Sequence, residues 1–526
     1  MQYSHTKPFS RIRSFLWPIH GYEHKKLVPM FILFFLISFV YNVLRCMKVT
    51  LVVTADGSGA EVIPYLKVWA VLPGALLLTY IYTKLSNFLN REQVFYAMLA
   101  IFLGFFTLFM CFIHPNREAL ELTSFSHFLS ENLPKGLNGL VSVIRHWHLS
   151  LFYVLSEMWS AVVLSMLFWG FANEITSVDE AKRFYAIFAL GANSSGIFSG
   201  QCAQLLTLEH YNASLPFGKE AWEQSLILQL GVVLIMGAMI TLLFRWLNKS
   251  VLPNLNKMPV IETKDSNEVK DSKAKSLSLM ECFSHLAKSR YMVYITILVV
   301  AYNLVYNLSD VLWTEQIRVS YPSAGEFNAY INKIASITGV FATISALLLS
   351  GNVIRRYGWT ATALITPAIW LVTSIGFFGC LLLTNHNVTD FIGALLGVPL
   401  YTLALIFGSA QICLGRAAKY TVFDESKEIA FIPLPKEDQR KGKAVVDGIA
   451  SRFGKSGGSL VIQVLLIVCG ELVLTIPYVA VIFCIVLAFW ILAVRRLGRL
   501  ASQTIDKELQ TTNREPIPLT QTVVSH

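Results

Sequence analysis

Apolar runs of about twenty residues, parted by short polar connectors, recur along most of this 526-residue chain. Crossing roughly 30 Å of hydrocarbon takes about 20 mostly apolar residues. Runs of that size fall near 27–54, 62–85, 94–113, 149–174, 181–206, 222–247, 291–317, 331–351, 362–384, 391–413, 443–469 and 476–494. Inside lipid each run must satisfy its own backbone hydrogen bonds, so the pattern predicts twelve membrane-spanning helices. No ten-residue alternation marks a β-barrel. The first run follows Lys7, Arg11, Arg13, Lys25 and Lys26 in the manner of a signal peptide. It has no small-residue cleavage site and is read as a retained helix.

Composition agrees with a lipid-solvated chain: 54% of residues are hydrophobic and 14% charged, with a mean hydropathy of +0.55. A soluble domain of this size is far more polar. The basic residues fall in alternate connectors, all on one side. Lys84 and Arg91 follow the second run, Lys182 and Arg183 the fourth, Arg355 and Arg356 the eighth. Arg416, Lys419, Lys427, Lys436, Arg440 and Lys441 are read as following the tenth, and Arg495, Arg496 and Arg499 follow the twelfth. Connectors near 55–61, 385–390 and 470–475 carry no Lys or Arg. Short basic connectors are held in the cytoplasm, so both termini are expected there. The net charge of +10 resides mostly in these connectors and calls for no nucleic acid. The eight cysteines lie mostly within the runs without paired spacing, and suggest neither disulfides nor a metal site.

A polar stretch divides the chain. Lys264, Asp265, Asn267, Glu268, Lys270, Asp271 and Lys273 cannot build a core, so 248–290 reads as a cytoplasmic linker between six-helix bundles at 27–247 and 291–498. Residues 1–26 form a basic arm and 499–526 a disordered tail. The halves echo each other at a period of about 260 residues. Tyr41-Asn42-Val43-Leu44 matches Tyr302-Asn303-Leu304-Val305, and Glu174-Ile175 with the glycines near Gly191 and Gly196 matches Glu428-Ile429 with Gly454, Gly457 and Gly458. The expected fold class is an all-α membrane protein of two pseudo-symmetric six-helix halves, major-facilitator-like, with its substrate held between them.

Several charges sit where hydrocarbon should forbid them. Arg45, Lys48, Lys67, Arg452 and Lys455 face fewer deep carboxylates: Glu157, Asp310 and Asp447, with Glu174 at a helix end. A charge at bilayer depth is retained when it faces water or a partner. An excess of cations suits a polyanion, above all phosphate, which takes charge-assisted hydrogen bonds from Lys and Arg. Snorkelling of Arg45, Lys48 or Lys67, and simple neutralisation by Glu157 or Asp310, are the plainer readings of the same residues. Gly454-Lys455-Ser456 is not a phosphate loop: the upstream glycine, Gly448, is one residue too far and no strand precedes it. Tyr302, Tyr306 and Trp313 can stack on a flat base or pack in the core.

Phe168-Trp169-Gly170-Phe171-Ala172-Asn173-Glu174-Ile175-Thr176, Asp179-Glu180-Ala181-Lys182-Arg183-Phe184-Tyr185, Tyr82-Thr83-Lys84-Leu85-Ser86-Asn87 and Arg452-Phe453-Gly454-Lys455-Ser456-Gly457-Gly458 resemble signatures of the nucleotide transporter (ATP/ADP translocase) family of obligate intracellular bacteria and plastids. The resemblance covers nearly the whole chain. It implies a non-enzymatic carrier of nucleoside di- and triphosphates in the bacterial inner membrane, acting as a monomer amid lipid and without a cofactor. The family's functional lysines fall on Lys67 and Lys455, its glutamate in the fourth helix on Glu157, and its seventh-helix acid on Asp310. Arg45, Lys48, Arg452, Asn193 and Tyr302 join the expected binding set, with Glu157, Asp310, Glu174 and Asp447 as coupling or charge-pair residues.

Typical exchangers read Arg-Asp-Thr-Lys-Asp where this chain has Arg45-Cys46-Met47-Lys48-Val49, and the family lysine beyond the seventh-helix acid is Thr314 here, followed by Glu315. Those departures are similar to members that import nucleoside triphosphates with protons. The expected function is therefore proton-coupled import, with Asp310 or Glu157 titrating. ATP/ADP exchange, phosphate as a co-substrate, and carriage of another organic anion stay open. A membrane enzyme would need paired acids or metal ligands in a large connector, and no such cluster is visible.

Overall fold

The computed structural model describes residues 23–253, 289–349, 352–383, 397–435, 439 and 442–512. The expected arm and linker lie largely outside these residues, as does the second half of the expected tail. The described chain is helical, with no strand. Its long helices are α1 (His24–Val53), α2 (Val62–Phe88), α3 (Arg91–Leu120), α4 (Trp147–Ile175), α5 (Val178–Leu205), α6 (Ala221–Val251), α7 (Arg290–Ser320), α8 (Ala324–Leu349), α9 (Asn352–Leu383), α10 (Leu400–Ala430), α11 (Val445–Cys469) and α12 (Leu472–Thr512).

Eleven of these are long and apolar enough to cross a membrane. The exception is α5, the fifth of the expected spans. Its first turns carry Asp179, Glu180, Lys182 and Arg183, and small or polar residues from Gly191 to Gln201 dilute the rest. That composition suits a helix packed against protein. On α5 a Cβ at Gly200 would lie 2.7 Å from the Asn332 carbonyl, and on α8 one at Gly339 would lie 3.0 Å from the Asn193 carbonyl. Helices this close must present glycine to each other.

α1–α6 and α7–α12 form the two halves, which meet along α5 with α8 and along α2 with α11. The start of α1 and the end of α12 share one face, here called the terminal face; the opposite face is distal. α12 continues to Thr512, into the segment expected as a tail. Between α3 and α4, two short distal helices (Thr123–Asn132 and Asn138–Arg145) form a cap that reaches the other half. A Cβ at Gly136 would lie 2.1 Å from the Leu466 carbonyl of α11, and the Tyr65 hydroxyl donates to the Gly136 carbonyl at 2.8 Å.

Several helices widen locally into π turns: Leu66–Val71 in α2, Ser160–Phe168 in α4, Lys419–Phe423 in α10, and Ala444–Ala450 leading into α11. An extra residue in a turn re-aims the neighbouring side chains, and such turns collect at functional sites.

Candidate functional site

Lys67 occupies the π turn of α2 and points across to α7 of the other half. Its ammonium donates to Asn307 Oδ1 at 2.7 Å and lies 3.6 Å from Asp310 Oδ2. The second Asp310 oxygen accepts from the Tyr306 hydroxyl at 3.1 Å and lies 3.7 Å from the Arg416 guanidinium of α10. Arg416 Nε donates in turn to the Tyr306 hydroxyl at 2.9 Å. One carboxylate is thus bracketed by two cations and a phenol, drawn from both halves. Lys67, Asp310 and Arg416 keep 22%, 17% and 15% side-chain exposure, so the group is wet on one side.

A second pair stands beside it in the first half. Lys48 is buried, bonded to Glu157 of α4 and seated over the Tyr153 ring at 4.6 Å. It does not snorkel to the headgroups. Glu157 retains 36% exposure. Lys419, in the π turn of α10, bonds Asp424 at 3.0 Å and lies 6.0 Å from the centre of the Tyr302 ring.

Among the described residues no carboxylate pairs with Arg45, Arg452 or Lys455. Arg45 is half-buried, and Arg452 and Lys455 are exposed. Gly454 and Gly458, flanking Lys455, pack against Asn303 and Asn307 of α7, with Cβ approaches of 2.7 and 3.0 Å. This close fit fixes the α11 face that carries the lysine. Lys67 lies within electrostatic reach of Lys455 and Arg416, and Lys48 within reach of Lys67, Arg45 and Asp310. Arg452 lies within reach of Lys455, so the five expected cations belong to one positive region between the halves.

Arg416 and Lys419 were expected in a connector and are instead part of α10, which runs on to Ala430. The signal was present, because Ala417, Ala418, Val422 and Phe423 continue the buried face at helical spacing past both cations. Glu174 and Asp447 stand apart from this group, paired at the terminal face with Arg91 and with Lys427, the latter at 2.7 Å. Tyr302 is 2% exposed, stacked on Phe423 and edged by Trp370 and Trp490. Trp313 is buried and donates to Ser409 Oγ at 3.0 Å. Asn193 is half-buried, with no side-chain hydrogen bond among the described residues.

The halves are sealed on the distal side. Gln463 donates to the Pro64 carbonyl at 2.9 Å and accepts from Trp69 Nε1 at 3.2 Å. Asn328 donates to Thr50 Oγ1 at 3.1 Å and accepts from Gln229 at 3.0 Å. The Ala60 amide donates to Glu315, which Arg318 holds through two bonds. Toward the terminal face the ion pairs join partners within one half: Lys26 with Glu180, Arg183 with Glu23, Arg91 with Glu174, and Lys443 with Glu428.

Glu61 belongs to this distal seal. Burial lifts its carboxyl above the ordinary value of 4.5; Glu315 adds to the rise, while its own backbone and Arg318 oppose it. Tyr65 is the other titratable group facing it. A raised acid favours its protonated form in the closed state, so its contribution is complete below the ordinary value and is lost as pH rises through the raised one. In a cysteine-free background, labelling of Asn328→Cys by an impermeant maleimide, divided at each pH by that of a free thiol, should rise as pH climbs above the ordinary carboxyl value of 4.5. Glu61→Gln should flatten that profile.

These features define a multi-pass helical carrier: two six-helix halves, a charged site between them and a seal on one side. The chain belongs to the TLC ATP/ADP transporter family, whose sequence model matches residues 2–500. It is 43% identical to ADP,ATP carrier protein 1 of Chlamydia trachomatis over 506 residues, 96% of this chain and 94% of that one. It is 36% identical to ADP,ATP carrier protein 1, chloroplastic, of Arabidopsis thaliana over 500 residues, 94% of this chain and 78% of that one. A solved bacterial homologue of the iron transporter ferroportin, in an inward-facing state, shares the fold at a TM-score of 0.56 and 13% identity, covering 91% of this chain and all of that one.

Proposed function

We propose that this chain exchanges ATP and ADP across the bacterial inner membrane, with both termini in the cytoplasm and the site open toward them. The relatives' names supply the substrate class. The observation that carries the mode is the set of acid-free cations, Arg45, Arg452 and Lys455, beside an Asp310 that is already bonded on both oxygens. Closing the terminal face over that excess charge without an anion is costly, because unpaired charge resists leaving water. A bound nucleotide supplies the missing negative charge, so reorientation is coupled to occupancy.

Asp310 acts as a tethered substitute anion. In the empty site it holds Lys67 and Arg416. Arriving phosphates take bonds from Lys455, Arg452 and Arg45 and compete for Lys67. Lys48 stays with Glu157 and shapes the wall. Asn193 offers a free amide to the ribose or base, with Tyr302 behind the site. Glu174 and Asp447 brace the terminal mouth.

Proton-coupled import of nucleoside triphosphates is the second reading. It is favoured by the 36% exposure of Glu157, a carboxylate able to take a proton from solvent. Proteoliposomes separate the two. Labelled ATP is expected to enter vesicles preloaded with ADP and to be excluded from empty ones, with or without a pH gradient. Accumulation in empty vesicles that collapses with the gradient would replace exchange by symport. Absence of uptake in every arm would remove the nucleotide reading itself.

A further inference from the structure

Most terminal-face ion pairs are internal to a half, but four guanidinium groups on α9 and α12 stand outside that pattern. Arg356, Arg495, Arg496 and Arg499 are exposed, and no carboxylate pairs with them among the described residues. Gly498 marks the side of α12 that meets α9, where a Cβ would lie 2.1 Å from Thr360 Oγ1, and Arg496 and Arg499 lie around the helix from it. Arg356 precedes Thr360 by one turn, and Gly358, at φ 78°, breaks α9 between them. Arg356 and Tyr357 therefore leave the line of the helix body. Only glycine adopts that backbone without strain.

The α12 surface explains what these groups face. Tyr478, Val481, Ile485, Phe489 and Leu492 are all exposed and recur at intervals of three or four residues, which is one continuous stripe of a helix. An apolar stripe with no protein against it lies on acyl chains. The same spacing continues to Arg496 and Arg499. The stripe thus changes from apolar to cationic along a single line, as a surface does where acyl chains give way to headgroups.

We propose that this outward face at the end of α12 binds an anionic diacyl phospholipid, its phosphodiester held by Arg496 and Arg499 with Arg495 beside them, and its chains along Phe489, Ile485 and Val481. Guanidinium suits the task because its planar fork meets two phosphate oxygens at once and is less strongly hydrated than an ammonium. Clustered basic residues at the end of a membrane helix favour such headgroups over zwitterionic ones. The site is separate from the central cations and does not depend on the nucleotide reading.

The full chain, purified in a neutral detergent, tests this by thermal unfolding with added phosphatidylglycerol, cardiolipin, phosphatidylcholine or inorganic phosphate. A ligand preferring the folded state raises the melting temperature. A rise of a few degrees is expected with phosphatidylglycerol and cardiolipin only, and should be lost in Arg496→Gln/Arg499→Gln. That variant should keep the wild-type melting temperature without lipid and the wild-type response to ATP. If phosphatidylcholine works as well, the recognition is merely apolar. An equal effect of phosphate alone makes it a free-anion site. An unchanged lipid response in the double variant places the lipid elsewhere. Should the double variant unfold, Arg496→Gln and Arg499→Gln singly must each reduce the response, and full retention in both overturns the proposal.

Discussion

Lys455→Ala is expected to abolish uptake of labelled nucleotide while leaving expression and folding near wild type. The lysine is exposed and bears no ion pair among the described residues, so its removal orphans no carboxylate. Its helix is positioned by Gly454 and Gly458 against α7, not by the ammonium. A hydrogen bond to a charged group contributes about 1.5–3 kcal/mol. Losing one such bond to phosphate lowers affinity by about 10- to 150-fold, and losing two lowers it further. Lys455→Arg keeps the charge but changes its shape, and partial uptake is expected. Normal uptake by the alanine protein would place this lysine outside the anion's path.

The second large effect should come from Asp310→Asn, and its signature is opposite in binding and in turnover. The amide no longer neutralises Lys67 and Arg416, which stay where Asn307 and Tyr306 hold them. Breaking a buried pair at one end costs about 3–5 kcal/mol, and the wetness of this site places the effect toward the lower figure. The empty variant should melt earlier than wild type and gain more from added ATP. Nucleotide affinity should rise about tenfold, the equivalent of about 1.4 kcal/mol. Exchange should slow, because tightly held phosphate must again be displaced before release. Equal or weaker binding of ATP by the variant would show that the carboxylate does not compete with substrate. Absence of ATP stabilisation in the wild type would point instead at the nucleotide assignment.

Hydropathy made the helices legible because crossing lipid demands a run no fold can avoid, and eleven of the expected twelve meet that demand outright. α5 does not, since it packs against protein, and it was recognisable only as a weaker run rich in glycine and serine. The same averaging concealed α10: a window that ends where charge begins stops near Cys413, and Arg416 and Lys419 then look like a connector. Which buried cations find acids is not a property of spacing. Lys48 and Lys67 lie on different helices and select Glu157 and Asp310 through the way α1, α2, α4 and α7 pack. Nor could spacing show that Tyr306 bridges Asp310 and Arg416, or that Glu174 and Asp447 are taken by partners at the terminal face.

The distal closure consists mainly of neutral hydrogen bonds, through Gln463, Asn328 and the Ala60 amide, with one carboxylate acceptor. Each such bond is worth about 0.5–1.5 kcal/mol net, so the handful together hold roughly 5 kcal/mol. Driving a two-state population from one extreme to the other takes about 5.5 kcal/mol of differential ligand affinity. The latch is thus matched in strength to the cargo: firm enough to keep the distal door shut at rest, and weak enough for one polyanion to throw it.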